Sequence, residues 1–258
     1  MNIPIFIINL KKDAKRKQYM QNLLAKFSLK AKFIEAVDGK LLSTKTIKNI
    51  YSEKQSIKNI NRGMTKGEIG CVLSHKNIYE QMILDNLPVI LVLEDDADFD
   101  DKLLDFIQQI DNLPKNWQLI HLGVHFYQEQ MRHNIWYGKR LKSHTLRRFT
   151  EIRYGTHGYL INNSGAKKML KHLHQISQPI DHYTGDDKFI NLYALQNSIV
   201  SHNQIFQSNL GGERADDISK NITKSFKHKL ANFLALNDFL ANLRTLRQRL
   251  KPLRKYHI

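Results

Sequence analysis

The 258-residue chain has one cysteine, Cys71, and only five prolines. A lone cysteine excludes a disulfide-stapled scaffold and any zinc module built on paired cysteines. No apolar run approaches the roughly 20 residues that span a bilayer as a helix; the longest clean runs are residues 5–8 and 89–93. The opening residues, MNIPIFIINLKK, carry neither a positive leading region nor a small-residue cleavage site, so no signal peptide is expected. There is no Pro/Gly/Ser-rich linker, no internal repeat, no phosphate-cradling GxGxxG or Walker loop and no HExxH. Acid is scarce: 24 Asp and Glu stand against 40 Lys and Arg, a formal net charge of +16. With 41% hydrophobic residues, a chain of this length buries an adequate core without staples. The expectation is a soluble protein of the reducing cytoplasm.

Such a charge excess seeks an anionic partner: nucleic acid, anionic lipid or a phosphorylated substrate. It is uneven. Residues 220–258 carry ten Lys/Arg and one acid, Asp238, which is +9 of the total +16. A composition shift near Gly211 and Gly212 divides the chain into a larger N-terminal domain, 1–212, and a basic helical extension, 213–258. In the extension Phe226, Leu230, Phe233, Leu236, Leu240, Leu243, Leu250 and Leu253 recur at steps of three, four or seven, an amphipathic stripe with Lys and Arg on its other faces. Such a helix suits the interface of an anionic membrane.

Elsewhere strands alternate with helices. Residues 4–10 (PIFIINL), 32–37 (KFIEAV), 88–93 (PVILVL), 117–123 (WQLIHLG) and 159–162 read as strands. Helical spacing covers 13–27, 65–84, 103–110 and 165–174, with Thr65 and Glu68 forming a capping box. Residues 43–61 are polar and read as a surface excursion, and Phe189, Ile190, Tyr193 and Ala194 suggest a further helix. The pattern predicts an α/β fold on a mostly parallel sheet.

Six acids fall within eight residues, 94–101, directly after the apolar strand 88–93. Asp98, Asp100 and Asp101 suit a helix N-terminus, where carboxylates complement the dipole. Glu94, Asp95 and Asp96 sit at the strand end, where open α/β sheets bind ligands. Carboxylates crowded there repel one another unless a cation relieves them, and a hard divalent cation wants oxygen ligands and substrate phosphates. A metal–diphosphate site is the functional reading.

The order of elements brings a resemblance with it. IFIINLKKDAKRKQYM (5–20), EAVDGK (35–40), MTKGEIGCVLSH (64–75), VILVLEDDADF (89–99), THGYLINNSGAKKML (156–170) and PID (179–181) resemble glycosyltransferase family 25, the bacterial lipopolysaccharide and lipooligosaccharide glycosyltransferases related to the collagen galactosyltransferases. The resemblance implies a GT-A-like, Rossmann-type fold binding a nucleotide sugar, with Mn²⁺ or Mg²⁺ on the diphosphate. It implies an inverting transfer of a hexose, commonly galactose from UDP-galactose, to a lipopolysaccharide core. On these positions Glu94 and Asp96 are the expected metal ligands, and Asp95 a ligand or a contact to the donor. Asn9, Arg16, Asp38, Ser74 and His75 are the donor-side candidates. An in-line displacement also needs a carboxylate to take the acceptor proton; Asp181 is the expected base, with Asp186 and Asp187 as alternatives.

Residues 131–153 hold seven Lys/Arg and one Glu among Trp136, Tyr137 and Phe149, which suits either an anionic sugar acceptor or a basic surface hairpin. Cys71 reads as a core residue and the remaining histidines as scattered surface residues. An enzyme peripheral to the cytoplasmic face of the inner membrane follows. The alternative is a metal-dependent phosphohydrolase or nuclease with a nucleic-acid-binding tail. A nucleic-acid partner is not expected, since no RRM, KH, helix-turn-helix or zinc-finger pattern is visible.

Overall fold

The computed structural model describes residues 3–123, 135–149 and 155–206. In chain order these form β1 (Ile5–Asn9), α1 (Ala14–Lys26), β2 (Ala31–Glu35), a 3₁₀ turn (Gly39–Leu41), α2 (Thr44–Ile50), α3 (Glu53–Ile60), α4 (Lys66–Leu84), β3 (Val89–Glu94), β4 (Ala97–Phe99), α5 (Lys102–Ile107), β5 (Leu119–His121), β6 (Ile135–Arg140), β7 (Thr145–Phe149), β8 (Gly158–Asn162), α6 (Asn163–His172), α7 (Ile180–Thr184), β9 (Leu192–Leu195) and β10 (Val200–His202). The basic extension and its apolar stripe lie outside the described residues. Among the described residues no helix is long and apolar enough to cross a membrane.

Eight strands make one sheet in the order β2-β1-β3-β8-β5-β9-β7-β6, while β4 and β10 pair separately. The fold is α/β, but the sheet is mixed. β1 pairs in parallel with β2 and β3, and β5 with β9. β8 runs antiparallel to both its neighbours, β3 and β5, and β7 antiparallel to β6 and β9. A parallel neighbour needs a crossover, usually a helix. The chain reaches β8 from the β6–β7 hairpin, with no described helix between β5 and β8 to carry it back. The C-terminal ends of β1, β2, β3, β5 and β9 therefore share one edge with the N-terminal end of β8.

Both faces of the sheet are covered. Successive residues of β1 point to opposite sides: Ile5 and Ile7 pack with Met20, Leu24, Leu91 and Leu93, and Phe6 and Ile8 with Ile69, Val72, Ile90 and Val92. α1 and α5 cover the first face, α4 and α6 the second. Burial on both sides explains why β1 and β3 read as unbroken apolar runs.

Two readings gain detail and one changes. Residues 43–61 lie at the surface, as expected, and form two short helices started by Ser43, which accepts from the Thr46 N–H, and Ser52, which accepts from the Gln55 N–H. Residues 192–195 are a strand, β9, buried at every position; a four-residue apolar run cannot be told from a helix segment by period alone. The basic segment 131–153 holds the hairpin β6–β7 at the sheet edge; Arg132 and Arg153 and the side chains of Trp136, Tyr137 and Phe149 lie outside the described residues.

At the shared edge, fully buried His121 donates from Nε2 to the Thr184 carbonyl, 3.2 Å away, while its buried Nδ1 has no hydrogen-bond partner among the described residues. A second proton would sit on that nitrogen without an acceptor. Burial first, with His157 nearby, pushes the imidazole down to about 4 against the Thr184 bond. Because the folded value lies below the ordinary 6.5, this contribution is present above about pH 6.5 and declines as pH falls towards 4, by about 3 kcal/mol in all. Urea unfolding at pH 7 and pH 4.5 checks it. Wild type should lose about 2 kcal/mol more than His121→Gln between those values, and equal losses exclude the assignment.

Candidate functional site

The shared edge is built by local rules. Ile8 lies opposite Glu94 in the β1–β3 register, so Asn9, Glu94 and the residues after them emerge together. β8 delivers its first residues to the same place: Glu94 donates its N–H to the His157 carbonyl at 3.1 Å. α4 starts at the predicted capping box, where Thr65 Oγ1 accepts from the Glu68 N–H (3.1 Å) and Glu68 accepts from the Thr65 N–H (3.0 Å). Arg62 grips the buried Glu68 with both guanidinium nitrogens. One turn later Gly70 lets the helix meet the chain leaving β2. A Cβ there would lie 2.6 Å from both the Val37 carbonyl and the Gly39 nitrogen. Ser74 completes the joint by accepting from the Val37 N–H at 2.9 Å and donating to the Gly70 carbonyl.

The three carboxylates at the tip of β3 have distinct surroundings. Asp95 accepts from Asn9 Nδ2 (2.7 Å) and Arg16 Nη1 (2.8 Å). The same Arg16 nitrogen reaches Asp96 Oδ2 at 2.8 Å, and His202 Nε2 lies 3.3 Å from that oxygen. The other Asp96 oxygen, Oδ1, is buried and accepts no hydrogen bond from a described residue. Glu94 Oε1 accepts from Thr156 and lies 3.8 Å from His75 Nε2; its Oε2 lies 3.9 Å from His157 Nδ1. Behind His75, Nδ1 bonds Tyr159 at 2.7 Å, and Tyr159 bonds Tyr79 at 2.7 Å, all fully buried.

Burial raises Asp95 and Asp96 above the usual carboxylate range, and the charge on Glu94 raises Asp96 further. Burial also works upwards on Glu94, but His75, His157 and Thr156 outweigh it and hold the carboxyl down to about 2. The cluster is thus electrostatically unfinished: three carboxylates face one guanidinium. Ligand atoms of Glu94, Asp96 and His157 lie within 4.8 Å of one another. Two carboxylates and an imidazole, with one buried oxygen unsatisfied, suit a divalent cation such as Mn²⁺.

Beside the carboxylates lies a cavity of about 190 Å³. Its walls include Lys12, Arg16, Asp38, Lys40, Ser74 and His75, and its floor Glu94, Asp95 and Asp96. Lys12 pairs with Asp38 at 2.7 Å, and Asp38 also caps the 3₁₀ turn by accepting from the Lys40 N–H. A concave site with cations at its rim and carboxylates at its floor can take an anionic ligand together with a metal.

A family model described as glycosyltransferase family 25 (LPS biosynthesis protein) matches residues 2–184. The chain belongs to glycosyltransferase family 25. Procollagen galactosyltransferase 2 of Mus musculus is 29% identical over 216 residues, which cover 79% of this chain and 32% of the relative. A glycosyltransferase 25 family member of Aedes aegypti is 35% identical over 191 residues, 69% of this chain and 30% of that one. The inactive glycosyltransferase 25 family member 3 of Homo sapiens is 27% identical over 197 residues, 72% and 31% of the two chains. The chain spans about a third of the length of the curated relatives it matches. Among solved structures, a glycosyltransferase involved in glycosylation of the major capsid of PBCV-1 aligns over 67% of this chain and 65% of its own, at TM-score 0.33 and 12% identity. A likeness at that level bears on neither fold nor site.

Within this family-25 chain, most of the expected residues converge. Arg16, Asp38, Ser74, His75, Glu94, Asp95 and Asp96 line the cavity, and Asn9 joins them through Asp95. Several do so differently from expectation. Arg16, expected on the donor side, is buried and pairs its guanidinium with Asp95 and Asp96. Asp95 has both oxygens engaged by Asn9 and Arg16. Ser74 spends its hydroxyl on backbone. Cys71 is a half-buried cavity residue rather than a core one. His121, read with the surface histidines, is fully buried, and so is the donor-side candidate His75. Asp100 and Asp101 precede α5 as expected, but Asp98 belongs to β4.

Asp181 is on α7, outside the cavity lining. The bond from His121 at the end of β5 to Thr184 sets α7 at the carboxyl edge. Asp186 pairs with Lys188 at 3.1 Å, and Asp187 with Arg148 at 3.8 Å. Sequence reasoning missed Thr156, His157 and His202. The first two fall in the stretch THGYLINN, but only an antiparallel β8 brings its leading residues to Glu94.

Arg16→Met leaves Asp95 and Asp96 buried without their cation, which should cost about 3–5 kcal/mol. The neighbouring exposed Lys15→Met should stay within about 0.5 kcal/mol. Denaturant unfolding compares the two, and similar losses rule out Arg16 as the counter-ion of the cluster.

Proposed function

We propose that this chain is an inverting glycosyltransferase that moves a hexose, galactose from UDP-galactose, onto a lipopolysaccharide or lipooligosaccharide core at the cytoplasmic face of a membrane. Family membership supports transfer of a sugar from a nucleotide donor, and relatives named procollagen galactosyltransferase support galactose. One observation carries the reading: Glu94, Asp96 and His157 converge at a strand tip with the buried Asp96 Oδ1 unsatisfied. A divalent cation held there would neutralise charge on the departing nucleoside diphosphate.

The protein's own groups account for the remaining roles. Lys12 and Lys40 at the cavity rim attract the diphosphate. Asn9 and Arg16 hold Asp95 and Asp96 in place, so the ligand geometry exists before the donor arrives. Inversion requires one displacement, with the acceptor hydroxyl attacking the anomeric carbon from the face opposite the leaving group. Asp181 takes the hydroxyl proton in that step. Asp186 and Asp187 are the alternatives for that role. The basic extension, residues 213–258, serves as the contact with anionic lipid.

A thermal-shift panel of nucleotide sugars with and without Mn²⁺ tests the metal and the donor. At 100-fold over Kd a ligand of the native state adds about 2.7 kcal/mol. UDP-galactose should stabilise wild type in a Mn²⁺-dependent manner, and Asp96→Asn should lose that dependence. A retained dependence removes Asp96 from the metal site, and phosphoester hydrolysis without a sugar acceptor supports a hydrolase instead.

Asp181→Asn should keep the UDP-galactose shift but lower kcat by about 10²–10⁴-fold, the usual contribution of a positioned base. Near-normal turnover with intact donor binding assigns the base elsewhere.

A further inference from the structure

Glu94 stands between two sets of donors. On the Oε2 side are His157 and, beyond it, Asp96. On the Oε1 side is His75, and one helical turn before it Cys71. Residues four apart share a helix face, and both side chains line the cavity. Ligand atoms of Cys71, His75 and Glu94 lie within 4.8 Å of one another. Tetrahedral zinc, with bonds of about 2.0–2.3 Å, sets its ligand atoms about 3.3–3.8 Å apart.

His75 supplies the independent observation. It is fully buried and lines the cavity, and its Nε2 has no hydrogen-bond partner among the described residues. Its Nδ1 is bonded to Tyr159, which is bonded in turn to Tyr79. When Nδ1–H donates to Tyr159, Nε2 carries the lone pair and points towards Glu94. In that tautomer Nε2 can ligate a metal, with Tyr159 as the outer partner that metal-bound histidines usually have.

We propose that Cys71, His75 and Glu94 form a second, softer cation site that takes Zn²⁺ and draws Glu94 away from Asp96 and His157. Thiolate and imidazole prefer zinc, whereas the set with two carboxylates prefers manganese or magnesium. On binding, the Cys71 S–H proton passes to solvent and a zinc–sulfur bond forms, with a fourth position left for water. Zinc in this site turns Glu94 towards α4 and weakens the harder set, so zinc acts as an inhibitor of metal-dependent donor use. The competition rests on the proposed function; the existence of the softer site does not.

Co²⁺, which reports thiolate ligation by a charge-transfer band, tests the site on the full chain. Wild type and Asp96→Asn should show the band; Cys71→Ser and Cys71→Ala should lose it while unfolding at the wild-type temperature. Mn²⁺ paramagnetic resonance reads the competition: Cys71→Ser should bind Mn²⁺ as wild type does, but require at least about tenfold more Zn²⁺ to release half of it. A missing band in wild type, a band that survives both Cys71 substitutions, or equal zinc displacement in wild type and Cys71→Ser each overturns the proposal. Wild type that binds no Mn²⁺ removes the proposed donor-metal site, and the cobalt band alone then decides the softer one.

Discussion

Arg16 reaches Asp95 and Asp96 with one guanidinium nitrogen, 2.8 Å from each, in surroundings that leave all three residues nearly dry. Three consecutive carboxylates after a strand buried on both faces would repel one another and the fold would resist them. Asn9 and Arg16 satisfy Asp95 completely, so Asp95 acts as the anchor of the turn. Arg16 alone satisfies Asp96 by half, at Oδ2. Glu94 is left to the imidazoles and Thr156. The formal excess of negative charge that remains is what a divalent cation would neutralise. Among the described residues the corner holds more carboxylates than its cations cover, and that imbalance governs its stability.

The wall opposite is set by contact distances. Gly70 against the Val37 carbonyl and the Gly39 nitrogen brings α4 nearer to the sheet exit than any side chain would permit. The capping box and Arg62 fix where α4 begins, and Ser74 fixes the strand exit to it. Cys71 and His75 thus face the cavity from a rigid element. Rigidity of that kind is what a binding geometry requires.

Legibility in the sequence followed the range of the interactions. β1, β3, α1 and α4 were readable because burial on two faces, a 3.6-residue stripe and a capping box are local patterns. The position of Glu94 and Asp96 at the strand end was readable for the same reason: acids directly after an apolar run are a local pattern. The engagement of Arg16 was not, since on a Lys-rich helix nothing local separates the one buried cation from the exposed ones. His157 and His202 were invisible because their value depends on strand direction and on pairing with segments far along the chain. β9 was misread because four buried apolar residues carry no period.

The reversed direction of β8 is the feature that joins these parts. Running antiparallel between β3 and β5, it opens at the carboxyl edge instead of ending there. Thr156 and His157, just before the strand, then reach Glu94, while Tyr159, inside it, reaches His75 behind Glu94. A parallel strand in that place would carry those residues to the opposite edge, some 15 Å away at about 3.3 Å per residue. β8 also separates two halves of the edge. Asn9, Asp38 and the cavity lie on the β1–β3 side, and His121, α7 and Asp181 on the β5 side. A reaction that must hold a donor and an acceptor in line needs two such halves with charge chemistry between them. The strand that interrupts the parallel order provides the boundary, and most of the groups on it that tune Glu94.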